Sequence, residues 1–426
     1  MIVIGGGFAG VTAAREAALR GCTVLLLEGR ERLGGRTWTA PWDGRSIEYG
    51  GAWVHWHQPH TFSEITRAGL ALTLGDDGER AGWYVDGQRR SATLKERDAI
   101  AQRGWDRFVE GVQEALPMPH DPLHAIDKLA RFDRLTIAER LDHLGLDVEE
   151  HDVLAAELES LAHAPLDDAG AVSVLRWHAL SGYSLALTQF TGGRVTIARG
   201  TRALLHAIAS AAPFEQRLGV AVAAVTHSAN GVEVHTRTAD AFEARVAVVA
   251  VPVNALGAIT FSPELSEGKR GAIAQGQASR GIKIFIHARG EPVLNNSLRP
   301  GHPFGHLSSD VLFDDGTQQL IGFGRDASVC DATDVTWVQR SLDDLLPGYE
   351  VIDATAHDWL VDEFSRGTWA IHRPGWYEHH HHAMQLPEDR VLFAGSDIAN
   401  GWAGFIDGAI ETGLRAGARA AAMART

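Results

Sequence analysis

The sequence predicts an α/β fold: a doubly wound domain of parallel sheet and helices, with a second, α+β domain joined to it. Three observations predict this. The chain opens on Ile2-Val3-Ile4, then a glycine turn, a helical pattern from about Phe8 to Arg20 and a second apolar run, Thr23 to Leu27. Strand, helix and strand in that order make a βαβ opening. Near the other end, Val391–Ala394 and the helical stretch Gly404–Met423 repeat strand, turn and helix. Between them lie more residues than one core takes, 426 in all and 45% hydrophobic.

The middle divides by pattern. Residues 95–181 read as helical, with apolar spacing in Ile100–Leu116 and Val153–Ala162 and proline breaks at 117, 119 and 122. Val220–Val225, Val232–Thr236 and Val246–Val251 are short strands, and Asn230-Gly231 is a hairpin turn signal. Lys283–His287 alternates as a strand does, and Leu320–Phe323 is another. With no internal repeat and no long linker, one domain is expected from residues 1–80, 195–280 and 386–426. The other takes 81–194 and 281–385.

Composition narrows the function. A formal net charge of −15 opposes nucleic-acid binding, which needs clustered Lys and Arg. The two cysteines, Cys22 and Cys330, are too few for a disulfide framework, so a reducing, cytoplasmic setting is expected. No apolar run reaches the ~18 residues that span a bilayer. No signal peptide is read, although Met1 abuts the first strand and a trimmed leader stays open.

Gly5-Gly6-Gly7-Phe8-Ala9-Gly10 fits GxGxxG between a strand and a helix. Gly5 permits the tight turn, Gly7 the approach of a pyrophosphate, and Gly10 close helix–strand packing. The helix N-terminus, from Phe8 and Ala9 on, offers N–H groups and positive dipole to phosphate. Glu28 ends the second strand, where a carboxylate accepts ribose hydroxyls. This is a Rossmann-like cradle for a dinucleotide, and at this point FAD and NAD both satisfy it.

A second glycine pair, Gly34-Gly35, is followed by Arg36, suited to neutralise a pyrophosphate. Gly50-Gly51-Ala52-Trp53 comes next, and Gly395-Ser396-Asp397 and Ala403-Gly404-Phe405-Ile406 lie near the end. By these residues, in this order, the chain resembles a flavin-containing amine oxidase of the monoamine oxidase superfamily. The resemblance is weakest in the helical middle. Trp53-Val54-His55-Trp56-His57-Gln58-Pro59-His60 resembles the bacterial nicotine and pseudooxynicotine type. It would either line the substrate channel or pack under the flavin.

The resemblance implies non-covalent FAD. Gly34, Gly35 and Arg36 would sit on the pyrophosphate side, Gly50–Trp53 along the ring, Val222 at the adenine and Asp397 by the ribityl chain. Trp359 would belong to the flavin site, and Phe405 and Ile406 would start a helix aimed at the N1/O2 edge, where reduced flavin is negative. Lys283 matches a lysine that holds water against flavin N5. Trp369 and Phe405 match a two-ring aromatic cage that aligns the amine. Thr368 stands where the mitochondrial enzymes carry the cysteine that tethers the flavin.

The reaction implied is oxidation of a primary or secondary amine to an imine, then a carbonyl, with O₂ as acceptor and peroxide as product. Three other readings stay open: a dehydrogenase feeding a cytochrome or quinone, an amino-acid oxidase or desaturase relative, and a non-catalytic flavoprotein. An amino-acid oxidase would need an arginine clamp, for which Arg176, Arg280 and Arg373 are candidates. The partner is a small amine, with no nucleic acid and no membrane, and a homodimer is one assembly open to the chain. The run His379–His382 is read as a solvated loop and no metal site is expected.

Overall fold

The structure, a computed structural model, describes residues 1–75, 78–291, 295–297 and 299–425. Ile2–Ile4 is the middle strand of a five-stranded sheet ordered Val391–Phe393, Ala247–Val249, Ile2–Ile4, Leu25–Leu27 and Glu215–Arg217. Every pairing in it is parallel. Alternate residues of the two adjacent strands Ile2–Ile4 and Leu25–Leu27 enter different cores: Ile2, Ile4 and Leu27 on one face, Val3 and Leu26 on the other. A strand buried on both faces reads as an unbroken apolar run, which is why three residues sufficed to mark it.

The helix Phe8–Leu19 follows the glycine turn and packs against the last helix, Ile406–Met423. Contact is close because small residues face each other. A Cβ on Gly413 would lie 2.5 Å from the Ala9 carbonyl oxygen, and one on Gly417 equally near that of Ala13. The last helix begins at Ile406 rather than Gly404, whose φ of +87° places it in the preceding turn.

A separate four-stranded sheet is ordered Ala241–Ala244, Gly231–Thr236, Val222–Ser228 and Thr260–Ser262. Its hairpin turns at Ala229-Asn230, one residue before the expected Asn230-Gly231, because Ser228 pairs with Gly231. The second domain is built on seven strands ordered Glu350–Ala356, Ile282–Arg289, Thr317–Gly324, His306–Leu312, Asn295–Ser297, Arg80–Val85 and Gln88–Thr93. Helices of the 94–193 region cover it, including Val148–Ala162, whose N-cap Asp147 accepts from the Glu150 N–H at 2.8 Å.

The histidine run is not a loop, and only part of it is solvated. It spans the join of two short helices, Trp376–His379 and His381–Gln385; His379 and His382 are exposed, and His381 is fully buried. Its Nδ1 accepts from the Trp376 indole at 3.3 Å and its Nε2 lies 3.1 Å from Asn400 Oδ1. Among the described residues, no group of His, Cys, Asp or Glu could hold a metal ion, and no helix is long and apolar enough to cross a membrane.

Candidate active site

A cavity of about 1130 Å³ runs between the two domains' sheets, walled by residues from nearly every part of the chain. At one end lies the glycine cradle. Gly5 has φ +105°, a conformation side chains avoid, and its N–H donates to the Leu27 carbonyl at 2.8 Å. A Cβ on Gly10 would sit 1.9 Å from the Gly5 carbonyl oxygen, so only glycine closes this turn. Gly7, Phe8 and Ala9 line the cavity, and the first-turn N–H groups there have no acceptor within their own helix.

Gly34 folds back on this turn, bridging Gly7 and donating to the Gly6 carbonyl at 2.9 Å. Glu28, in the cavity wall, accepts from the Gly6 N–H at 2.6 Å and the Arg30 N–H at 2.8 Å. Its carbonyl accepts from the Val220 N–H at 2.8 Å, which sets Val220–Val222 beside it in the same wall. A glycine cradle, a helix N-terminus and a carboxylate at the end of the second strand fit a dinucleotide.

Arg36 joins the two ends of the chain. Its guanidinium donates to the Thr368 carbonyl at 2.7 Å and the Ser396 hydroxyl at 2.9 Å, and pairs with Asp397. Burial alone would raise the Asp397 carboxyl. Arg36, the Val253 N–H and the Ser396 hydroxyl outweigh it and hold the carboxyl below its ordinary range.

At the far end the wall turns aromatic and carries a buried lysine. Lys283, near the start of Ile282–Arg289, donates to the Gly50 carbonyl at 2.5 Å. Its ammonium lies 5.0 Å from the Trp53 ring centroid and 5.5 Å from that of Phe285. Burial pushes its pKa down to about 8, against the pull of Glu48 and Asp310. The Trp359 indole donates to the Tyr49 carbonyl at 3.1 Å, bracing the strand end that leads to Gly50.

Trp369 and Phe405 both border this end and are half-buried. Their segments run side by side: a Cβ on Gly404 would lie 3.1 Å from the Ala370 nitrogen and 3.5 Å from the Trp369 Cβ. Each ring has its own brace. Trp369 lies flat on His163, with centroids 4.3 Å apart and planes 2° from parallel, and its indole donates to the Leu161 carbonyl at 3.0 Å. Phe405 meets Trp177 and Trp402 edge-on, each at 5.2 Å.

Of the residues expected to hold the cofactor or act on the amine, Gly10, Asp397 and Ala403 stand behind the wall and the others line it. The aromatic–histidine stretch splits in the structure. Trp53 lines the cavity, whereas His55 packs beneath, buried against Trp56 and Phe190 and pushed down to about 4 by burial and His57. Arg176, Arg280 and Arg373 do not reach the cavity. Arg176 is spent on Tyr377 and the carbonyls of 399–401, Arg280 on Asp326 and Arg373 on Asp168. Sequence reasoning missed His163, Phe323, Glu157 and His306. All four line the cavity and none lies in a motif.

The model for "Flavin containing amine oxidoreductase" matches residues 8–421. The chain is 37% identical to a pseudooxynicotine dehydrogenase of Pseudomonas sp. across 98% of its own length and 85% of that protein's. It is 35% identical to a nicotine dehydrogenase of Pseudomonas putida over 98% and 87%. To an (S)-6-hydroxynicotine oxidase of Paenarthrobacter nicotinovorans it is 30% identical over 96% of each. The fold is that of cyclohexylamine oxidase from Brevibacterium oxydans, with a TM-score of 0.81 at 21% identity, covering 100% and 99% of the chains. A cavity that fits a dinucleotide at one end and holds a buried lysine among aromatic rings at the other, together with these matches, places the chain among the flavin-containing amine oxidoreductases of the monoamine oxidase superfamily.

Proposed function

We propose that the chain oxidises a primary or secondary amine to an imine, using FAD held without a covalent bond, and passes the electrons to O₂. The observation that carries this is Lys283, a cation buried at the aromatic end of a cavity whose other end fits a dinucleotide. FAD, when bound, supplies the hydride acceptor for the C–H bond beside the amine nitrogen. Gly5, Gly7, Phe8, Ala9, Gly34, Gly35, Arg36 and Ser396 would hold its phosphates. Glu28 and Val222 would hold the adenosine, with Gly50–Trp53, Trp359 and Ile406 along the ring. Segments 1–80, 195–280 and 386–426 would form this FAD-binding domain, and the five parallel strands all fall within them.

The protein's part is binding and alignment. Trp369 and Phe405 present ring faces to an amine, and closing water out of the chamber favours its neutral form, the form with a lone pair to push out hydride. Lys283 holds a proton at Nζ, within reach of a water at the reacting end. The imine then takes up water and releases the carbonyl compound and the amine or ammonia.

The side chain at 368 supports non-covalent binding. Thr368 spends its hydroxyl on His163 at 3.1 Å, and neither Cys22 nor Cys330 lines the cavity. Acid precipitation of the holoprotein should leave all FAD in the supernatant, and flavin in the pellet would refute this. The reaction is tested by titrating the holoenzyme with a panel of amines without air. At least one should bleach the flavin; if none does, the reading is wrong. Readmitting air should then restore the colour and yield one peroxide per flavin. A second reading, transfer to a redox protein or quinone, is supported by the names of the two more identical relatives, both dehydrogenases. Bleached enzyme that is stable in air yet reoxidised by cytochrome c or a quinone would select it.

A further inference from the structure

Helix Val148–Ala162 ends at His163, which adopts φ +51° to leave the helix. The side chain is 1% exposed and forms part of the cavity wall. Its backbone carbonyl accepts from the N–H groups of Arg280 and Gly281, at 3.0 and 2.8 Å. Its ring Nε2 lies 3.0 Å from the Ile282 carbonyl oxygen, and Nδ1 lies 3.1 Å from the Thr368 hydroxyl. A carbonyl only accepts, so Nε2 carries the proton and Nδ1 accepts from the threonine. The ring face lies flat on Trp369. There is no slack: a Cβ on Gly281 would come within 2.3 Å of the His163 ring.

One imidazole is thus bonded to the residue before Lys283 and to the residue before Trp369, while stacked on Trp369 itself. We propose that His163 is a positioning residue that fixes Trp369 and Lys283 relative to each other, locked as a single neutral tautomer. The inference rests on the amine-oxidising reading above. Thr368 then acts through its hydroxyl, which fixes the tautomer. Burial holds His163 neutral, pushed down to about 3, with the Ile282 carbonyl opposing and the Lys283 charge adding to the shift. Lys283 in turn faces the carboxylates of Glu48 and Asp310. A histidine there that took up a proton would place a cation in contact with Trp369, beside the Lys283 charge, and break the bond from Thr368.

The test compares FAD-loaded wild type with His163→Phe, which keeps a stacked ring and loses both bonds, and Thr368→Val, which removes one hydroxyl. Flavin reduction by an amine is followed without air across pH, together with FAD content and melting temperature. His163→Phe should lower the limiting reduction rate by about 10–100-fold, the range expected of a small misplacement, with a much smaller change in the apparent Kd for amine. It should also displace the pH inflection belonging to Lys283. Thr368→Val should change both in the same direction by a smaller factor, and it decides the matter alone if His163→Phe does not fold. A reduction rate and pH profile like wild type in the loaded variants would overturn the proposal. If wild type itself is bleached by no amine, the amine reading fails instead. Visible circular dichroism of the bound flavin then decides the positioning role: altered in the variants it supports the role, unchanged it overturns it.

Discussion

A lysine ammonium taken out of water must be compensated where it lands. Lys283 finds the Gly50 carbonyl, two ring faces and the longer-range pull of Glu48 and Asp310, and still titrates near 8. Below that value it is charged; above it the amine is neutral and can accept a proton from a bound water. Steps that use the neutral amine therefore speed up as pH rises through about 8. Lys283→Met should keep FAD bound, slow flavin reduction or reoxidation by about 10²-fold or more, and erase the inflection near 8. Stopped-flow measurement of both half-reactions checks this, and two unchanged half-reactions would remove the lysine from the mechanism. Lys283, Trp369 and Phe405 were legible because each stands in a run of residues that resembles the family's. His163 was not. It follows Leu161-Ala162 as a single histidine, and its partners Ile282 and Thr368 lie 119 and 205 residues away. Nothing in a linear pattern encodes a contact of that span.

The helices Phe8–Leu19 and Ile406–Met423 both begin at the cavity and lie against each other through small residues. Their separation sets where two sets of free N–H groups point. Gly417→Ala tests this against helix propensity, which alone would favour alanine by about 1 kcal/mol. The added Cβ would lie 2.5 Å from the Ala13 carbonyl oxygen and 2.9 Å from the Ala13 Cα, backbone of the facing helix that no side-chain rotation can move aside. Overpacking of this kind costs about 1–3 kcal/mol, so the variant should melt lower and retain FAD less tightly. A melting temperature at or above wild type would show that the helices can part freely. Both helices were readable from apolar spacing after a glycine turn. The hairpin Arg80–Val85 with Gln88–Thr93 was overlooked, although Asp86-Gly87 carries its signal. Both residues take positive φ, +48° and +71°, as a two-residue turn requires. Within the histidine run, His381 misled in the opposite sense, because polarity suggested solvent where Trp376 and Asn400 supply partners.

Folding the whole molecule encloses several histidines in the neutral state, and this sets its response to acid. Burial pushes His163 down to about 3, His306 and His372 to about 4, and His381 well below its ordinary value. In the unfolded chain these rings take up protons near 6.5. A depressed histidine therefore contributes stability that is present above about 6.5 and lost as pH falls towards the folded value, by up to about 1.4 kcal/mol per pH unit for each group. Asp133 and Asp407 act with the opposite sign. Burial raises both to about 6, so they favour the folded state as pH drops through that value. Burial likewise depresses His55, His120, His178, His302 and His380 and raises Glu157, Glu159 and Asp310, so among the described residues nine histidines stand against five carboxyls and leave a net loss. The melting temperature should fall steadily from about pH 7 to about pH 5. His381→Gln, which keeps an amide facing Asn400 but cannot take up a proton, should show a shallower slope even if it melts lower at neutral pH. Thermal unfolding across that range decides it. A flat or rising curve would mean that the raised carboxyls govern the balance and that the buried histidines are reached by water.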